Sequence, residues 1–267
     1  PFSSQATSMH RALILMKKQG ECLLISVFRT TIAGKSRWIT ITWQRNFFLQ
    51  CISLSLRSAK GSEDQFLCKI ELKRWTWCKR QGSKKFLVDG KIIGIVWDLH
   101  AAKFVEAKPT SNYFVAIVCD DEVVLVLGDL RKEAYRTTRC RPALKDPIQV
   151  SRTEHIVGKR DFTTRFGPTE ILMRWVSDSE PKLEIKVDGH MAVQVQHLQW
   201  KFRGIDLISV DGRRIVEVWW DVHDWLFNHG VRYGLFMFKI AAFSKVDEDD
   251  VDGSSSFCLF VYAWIGE

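Results

Sequence analysis

No apolar run in the chain approaches the roughly 18 residues that a membrane-spanning helix requires, so a helical integral membrane protein is excluded. Equally absent are a Gly-rich phosphate loop, a nucleophile elbow and a His-Glu-x-x-His pair, the sequence marks of common nucleotide, hydrolase and zinc-protease sites. No cofactor is therefore expected. Cysteine is present but unorganised: Cys22, Cys51, Cys68, Cys78, Cys119, Cys140 and Cys258 are odd in number, scattered, and form no Cys-x-x-Cys pair. A disulfide framework would be denser and more regular, and Cys68, Cys119 and Cys258 lie in apolar runs where Cys behaves as a small core hydrophobe. The expectation is a reduced, intracellular protein, cytoplasmic with the nucleus as the alternative. The chain opens on Pro1 rather than Met, so a native N-terminus carrying any targeting signal is expected to precede it.

What the sequence has in quantity is large rings. Aromatics make up 12% of the 267 residues, 11 of them Trp, and rings favour pleated, half-buried surfaces. The patterning agrees. Cys51-Ile52-Ser53-Leu54-Ser55-Leu56 alternates with period two, and residues 66–72 continue that alternation. Residues 86–88 and 92–97 flank Asp89-Gly90, a strong hairpin turn, and Asp188-Gly189 and Asp211-Gly212 supply two more. Residues 113–118 and 123–127 are apolar without alternation, so that hairpin needs cover on both faces. Further strands are expected over 171–176, 183–187, 191–200, 207–210, 215–220, 235–241 and 257–264. One short helix near the midpoint, residues 130–136 capped by Asp129, precedes a connector marked by Pro142 and Pro147.

The two halves match. Gly82, Val88-Asp89-Gly90 and Trp97-Asp98-Leu99-His100 correspond to Gly204, Val210-Asp211-Gly212 and Trp220-Asp221-Val222-His223. The glycines and turn aspartates are 122 residues apart and Asp98 and Asp221 are 123 apart, one inserted residue that a β-bulge would absorb. This predicts an all-β fold of two repeated antiparallel meander units, packed as a sandwich or distorted barrel. The expected division is a tail over 1–20, a first unit over 21–140, and a second over 141–267 with a mobile acidic loop at 247–256.

Charge is concentrated. Formal net charge is +8, and between Lys69 and Lys91 eight cations face only Glu71 and Asp89, a local surplus of +6. Lys73, Arg74, Lys79, Arg80, Lys84 and Lys85, interleaved with Trp75 and Trp77, are the candidate binding residues for a polyanion, nucleic acid or anionic lipid. The patch is expected to centre on the turn from Lys79 to Lys85, where a loop need not alternate. The plainer alternative is a solvated basic hairpin over core tryptophans. Asp98 with His100 and Asp221 with His223 are repeat-related candidates for an acid/base or metal pair; the plainer reading has each Asp bonding turn amides. No catalytic residue and no metal site is assigned.

Several ordered segments together resemble a plant family known as domain of unknown function 868. They are Thr30–Gly34 with Arg37–Trp43, Cys68–Trp77, Trp97-Asp98-Leu99, Leu127–Ala134, Glu154–Gly158, Trp200–Gly204 and Trp220–Phe227. The resemblance runs from about residue 22 to the end and implies a plant source, with no established activity or catalytic residues to transfer. Where the family pattern reads Trp-Cys-Lys-Asn this chain has Trp43-Gln44-Arg45-Asn46, so that Cys is no general ligand. The reading is a non-catalytic binding or scaffold protein with an unknown ligand or a protein partner. A binder of nucleic acid or anionic lipid through residues 69–91 comes second, and an enzyme with an unmarked site third.

Overall fold

The computed structural model describes residues 22–266, apart from 33, 46–48, 59–63, 74–79, 105–106, 177–179, 211, 213, 229, 231 and 242–256. The expected tail at 1–20, the acidic loop at 247–256, Arg74, Trp75, Trp77, Lys79 and Asp211 lie outside the described residues. The strands are β1 (Cys22–Ile32), β2 (Lys35–Arg45), β3 (Leu49–Ser58), β4 (Asp64–Lys73), β5 (Gln81–Val88), β6 (Lys91–Asp98), β7 (Lys103–Phe104), β8 (Pro109–Ser111), β9 (Phe114–Cys119) and β10 (Glu122–Gly128). Helix α1 (Arg131–Thr138) follows, then β11 (Arg141–Pro142), β12 (Ile148–Gly158), β13 (Asp161–Phe166), β14 (Thr169–Val176), β15 (Lys182–Val187) and β16 (His190–Val195). The chain ends with β17 (Arg203–Val210), β18 (Arg214–Asp221), helix α2 (His223–Phe227), β19 (Tyr233–Ile240) and β20 (Cys258–Ile265).

The protein is all-β, and no sheet closes into a barrel. A nine-stranded sheet runs β17-β18-β19-β20-β12-β1-β2-β3-β4, beside a five-stranded sheet, β11-β10-β9-β6-β5, and a four-stranded sheet, β13-β14-β15-β16. The smaller sheets cover the two ends of the large one. Ile39, Ile41 and Trp43 of β2 and Ile52 and Leu54 of β3 share one core with Ile93, Ile95 and Trp97 of β6 and Val115 and Ile117 of β9. Phe236, Phe238, Leu259 and Val261 share the other with Phe162, Ile171, Met173 and Ile185.

Turn chemistry explains the hairpins. Asp89-Gly90 and Asp188-Gly189 both sit at positive φ, as a two-residue turn matched to strand twist demands, and Asp120-Asp121 does the same between β9 and β10. The apolar β9–β10 hairpin is covered twice. Val115 and Ile117 face the nine-stranded sheet, while Phe114, Ala116 and Val123 pack against Ala134 of α1.

Several expectations are corrected. Asp129 does not cap α1, whose Leu130 N-cap makes no side-chain bond; its carboxylate instead accepts the backbone N–H groups of Asn112 and Tyr113 at 3.0 and 3.1 Å. A second helix, α2, is present. β16 stops at Val195, and residues 196–200 turn rather than continue the strand. The polar segment of β12 and the short β13 carried no apolar signal, yet both are strands. β12 pairs parallel with β20 and antiparallel with β1, so one parallel ladder joins the sheet's halves.

The hairpins β5–β6 and β17–β18 share pairing: Gly82 opposes Trp97 and Gly204 opposes Trp220. Their inserted residue is not a bulge. Val88 pairs with Lys91, but Val210 pairs with Arg214 in an unbroken register, so the extra residue lies in the turn. Each glycine makes room for its tryptophan. A Cβ on Gly204 would stand 2.1 Å from the Trp220 ring, and one on Gly82 would stand 2.8 Å from Trp97. The Trp220 Nε1–H donates to the Lys201 carbonyl at 3.1 Å, which holds the ring in place. Gly204→Ala is therefore expected to cost about 1–3 kcal/mol by overpacking. Urea unfolding checks this; an unmoved midpoint would show that the ring swings aside.

Candidate functional site

Strand pairing places both smaller sheets on one face of the nine-stranded sheet. Across that face Leu54, Ile41, Ser26, Arg152, Leu259, Phe238 and Val218 are successive lateral neighbours. Laterally paired residues point the same way, so the apolar ends of this row belong to the two cores and its middle is polar. The next row repeats the pattern: Ile52, Trp43, Leu24, Glu154, Val261 and Phe236. The small sheets leave the middle partly open, with β13 touching it from one side. The gap is a cleft of about 960 Å³, floored by β1 and β12, with residues 107–110, Tyr113 and 127–129 on one wall and 163–165 on the other.

Its charged groups come from different elements. Arg152 and Glu154 are two apart on β12 and share the floor, with Arg152 Nε 2.8 Å from Glu154 Oε1. That nitrogen is buried and out of hydrogen-bonding alignment, so the pair is Coulombic. The second Glu154 oxygen accepts the Thr164 hydroxyl of β13 at 2.5 Å, and Arg152 Nη2 donates to the Arg165 carbonyl. Both contacts tie the floor to the four-stranded sheet. From the opposite wall comes Lys108, which forms no ion pair among the described residues. Its side chain reaches solvent through the open cleft while protein surrounds it; desolvation lowers its pKa, Arg152 lowers it further, and Glu154 opposes. The two backbone N–H bonds hold the Asp129 carboxyl below its usual range, and burial, then Asp129, pushes the Tyr113 hydroxyl up. Leu24, Phe28, Leu127 and Ile156 supply apolar lining.

A second hollow of about 720 Å³ lies by Lys91, Asp120, Glu122 and Arg141. Four of its charges pair with each other, Lys91 with Asp120 at 3.0 Å and Arg141 with Glu122 at 2.8 Å, and Lys145 also lines it.

The residues singled out from sequence lie elsewhere. Lys84 and Lys85 are not in a turn but in β5, the edge strand of the five-stranded sheet, so they point to opposite faces. Both are exposed; Arg80 is half-buried just before the strand and donates to the His100 carbonyl at 3.5 Å. Lys73 ends β4. Asp98 accepts the His100 backbone N–H at 2.9 Å and Asp221 accepts that of His223 at 3.1 Å. His223 packs against Phe202 and Phe227, and its Nδ1 lies 3.1 Å from Asp224. Among the described residues no group of three or more His, Cys, Asp or Glu is arranged to hold a metal. None of their helices is long and apolar enough to cross a membrane. Sequence reasoning missed Lys108, Arg152, Glu154 and Thr164. The one available signal was the spacing of Arg152 and Glu154, opposite charges that a strand places on one face.

No curated protein and no solved structure matches the chain. A family model described as plant protein of unknown function, DUF868, matches residues 19–265, and the chain belongs to that family.

Proposed function

We propose that the protein is a non-catalytic binding protein, built from two copies of one β-unit, that holds a small ligand in the cleft between them. The observation that carries this reading is the cleft itself: about 960 Å³, open to solvent, with a floor that mixes apolar and charged side chains and further charged groups on its walls. Ligand pockets typically span roughly 300–1,000 Å³ and favour the seams between packed units. Glu154 supports binding over proton transfer, because Arg152 and Thr164 already engage its two oxygens.

Ser26 lies on the floor beside Arg152 and is half-buried, so a larger side chain there fills the cleft without entering either core. The probe is 8-anilinonaphthalene-1-sulfonate, followed by fluorescence. Wild type is expected to bind it saturably, and Ser26→Trp to weaken binding at least tenfold with an unchanged unfolding temperature. A control addresses the sheet's opposite face, where Ile205 and Leu207 are exposed. Loss of dye binding on Ile205→Glu with Leu207→Glu, and none on Ser26→Trp, would place the site on that face and overturn the proposal.

A further inference from the structure

The geometry points to an oxyanion head, carboxylate or phosphate, on an otherwise apolar ligand, seated between Lys108 and Arg152 with its chain along Leu24, Phe28, Leu127 and Ile156. This inference rests on the cleft being the binding site. It goes further by naming the ligand's chemistry.

Charge accounting in the cleft leads to it. Five ionic side chains line the space: Lys108, Arg152 and Arg165 against Asp129 and Glu154. Both acids are engaged. Asp129 holds two backbone N–H groups, and Glu154 holds Thr164 and lies against Arg152. Arg165 reaches out to Glu170, 3.8 Å away on β14. Among the described residues Lys108 pairs with no carboxylate, and the charge that acts on it most strongly after desolvation is another cation, Arg152, with Glu154 opposing. Among the described residues the cleft lining therefore carries a surplus of one positive charge, Lys108, facing an Arg152 that Glu154 only partly offsets, and an anion placed between the two cations is stabilised by both. Arg152 is suited to the task because its guanidinium is already fixed by Glu154 and the Arg165 carbonyl, so little rotamer freedom remains to be lost on binding.

The apolar part follows from the floor. Phe28 and Leu24 project from β1 on the face that carries Ser26, and Ile156 continues the β12 row beyond Glu154. All three are only partly buried by the two cores. A ligand that covers them removes apolar surface from water while its head meets the cations.

The experiment is displacement of 8-anilinonaphthalene-1-sulfonate by four eight-carbon probes with different heads: octanoate, octyl phosphate, octan-1-ol and octylamine. Wild type, Lys108→Glu and Lys108→Arg are compared. In wild type at least one of the two anions is expected to displace the dye at a concentration tenfold or more below that for octan-1-ol, with octylamine weakest. Which anion is stronger identifies the head. Lys108→Glu is expected to abolish the anions' advantage while octan-1-ol is unchanged, and Lys108→Arg to restore most of it. Equal potency of octan-1-ol and both anions would overturn the anionic head while leaving the cleft as an apolar site, and an anion advantage that survives Lys108→Glu would overturn the seat between Lys108 and Arg152. Failure of all four probes in wild type would remove both readings.

Discussion

Replacing Trp225 with Ala is expected to lower the unfolding free energy by about 3–5 kcal/mol, the range for deleting a fully buried large ring. Trp225 has 0% exposure and is the hub of the second core. Its ring lies 5.2 Å from Phe162, 6.0 Å from Trp175 and 5.5 Å from Phe236, joining the four-stranded sheet to the large one. Its polar groups are bonded: Nε1–H donates to the Ala263 carbonyl at 2.9 Å, its backbone N–H donates to the Val222 carbonyl at 3.1 Å, and its own carbonyl accepts from Arg232 at 2.7 Å. Opposite the ring, β19 carries Gly234, where a Cβ would stand only 2.8 Å from it. Alanine would leave a cavity that rigid neighbouring rings cannot fill, and would strand the Ala263 acceptor. Urea unfolding of wild type and variant at equal slope measures the loss. A change below about 1 kcal/mol would mean that the surrounding rings collapse into the space.

Acidification is expected to unfold the protein through His155. Burial holds this imidazole down at about 4. Its Nδ1 accepts the Trp264 indole N–H at 3.2 Å, its ring stacks on Tyr262 at 4.7 Å between centroids, and its Nε2 is buried with no hydrogen-bond partner among the described residues. Protonating the ring would oppose the Trp264 donor and bury a charge. In the unfolded chain the group takes its proton near pH 6.5; in the folded chain it resists until about pH 4. Its contribution is therefore complete above pH 6.5 and is lost as the pH falls toward 4, by about 3 kcal/mol in all. His155→Phe keeps a ring in the stack and removes the titration. Unfolding free energies between pH 4 and 7 should fall more steeply for wild type, and parallel curves would refute the assignment. Carboxylates titrating in the same range cancel in the difference.

How far the sequence carried the fold is clearest at the turns and at one strand. Asp89-Gly90, Asp188-Gly189 and the apolar runs flanking Asp120-Asp121 specify local hairpins, because turn geometry and strand alternation are properties of neighbouring residues. β12 was invisible for a reason that bears on the site. Ser151-Arg152-Thr153-Glu154-His155 reads as a polar connector, and its pairing partners lie more than a hundred residues away on β1 and β20. Hydropathy finds strands that face a core; this one faces a cleft. Lys108 has no sequence mark either, since Arg152, the cation that acts on it in the cleft, stands 44 residues later.

By itself, then, the amino-acid order determined the strands with a clear apolar pattern, their tight turns, the Gly82–Trp97 and Gly204–Trp220 correspondence and the need for cover over β9 and β10. Those follow from backbone stereochemistry and from which side chains leave water. Only the tertiary structure decided that each set of strands takes its cover from its own part of the chain, that both covers sit on one face of a shared sheet, and that a gap with unequal charge remains between them. Sheet edges join wherever unpaired N–H and C=O groups meet, and almost any strand sequence permits that. The position of the cleft was therefore fixed by which edges met, β12 against β1 and β20, and no local pattern records that choice.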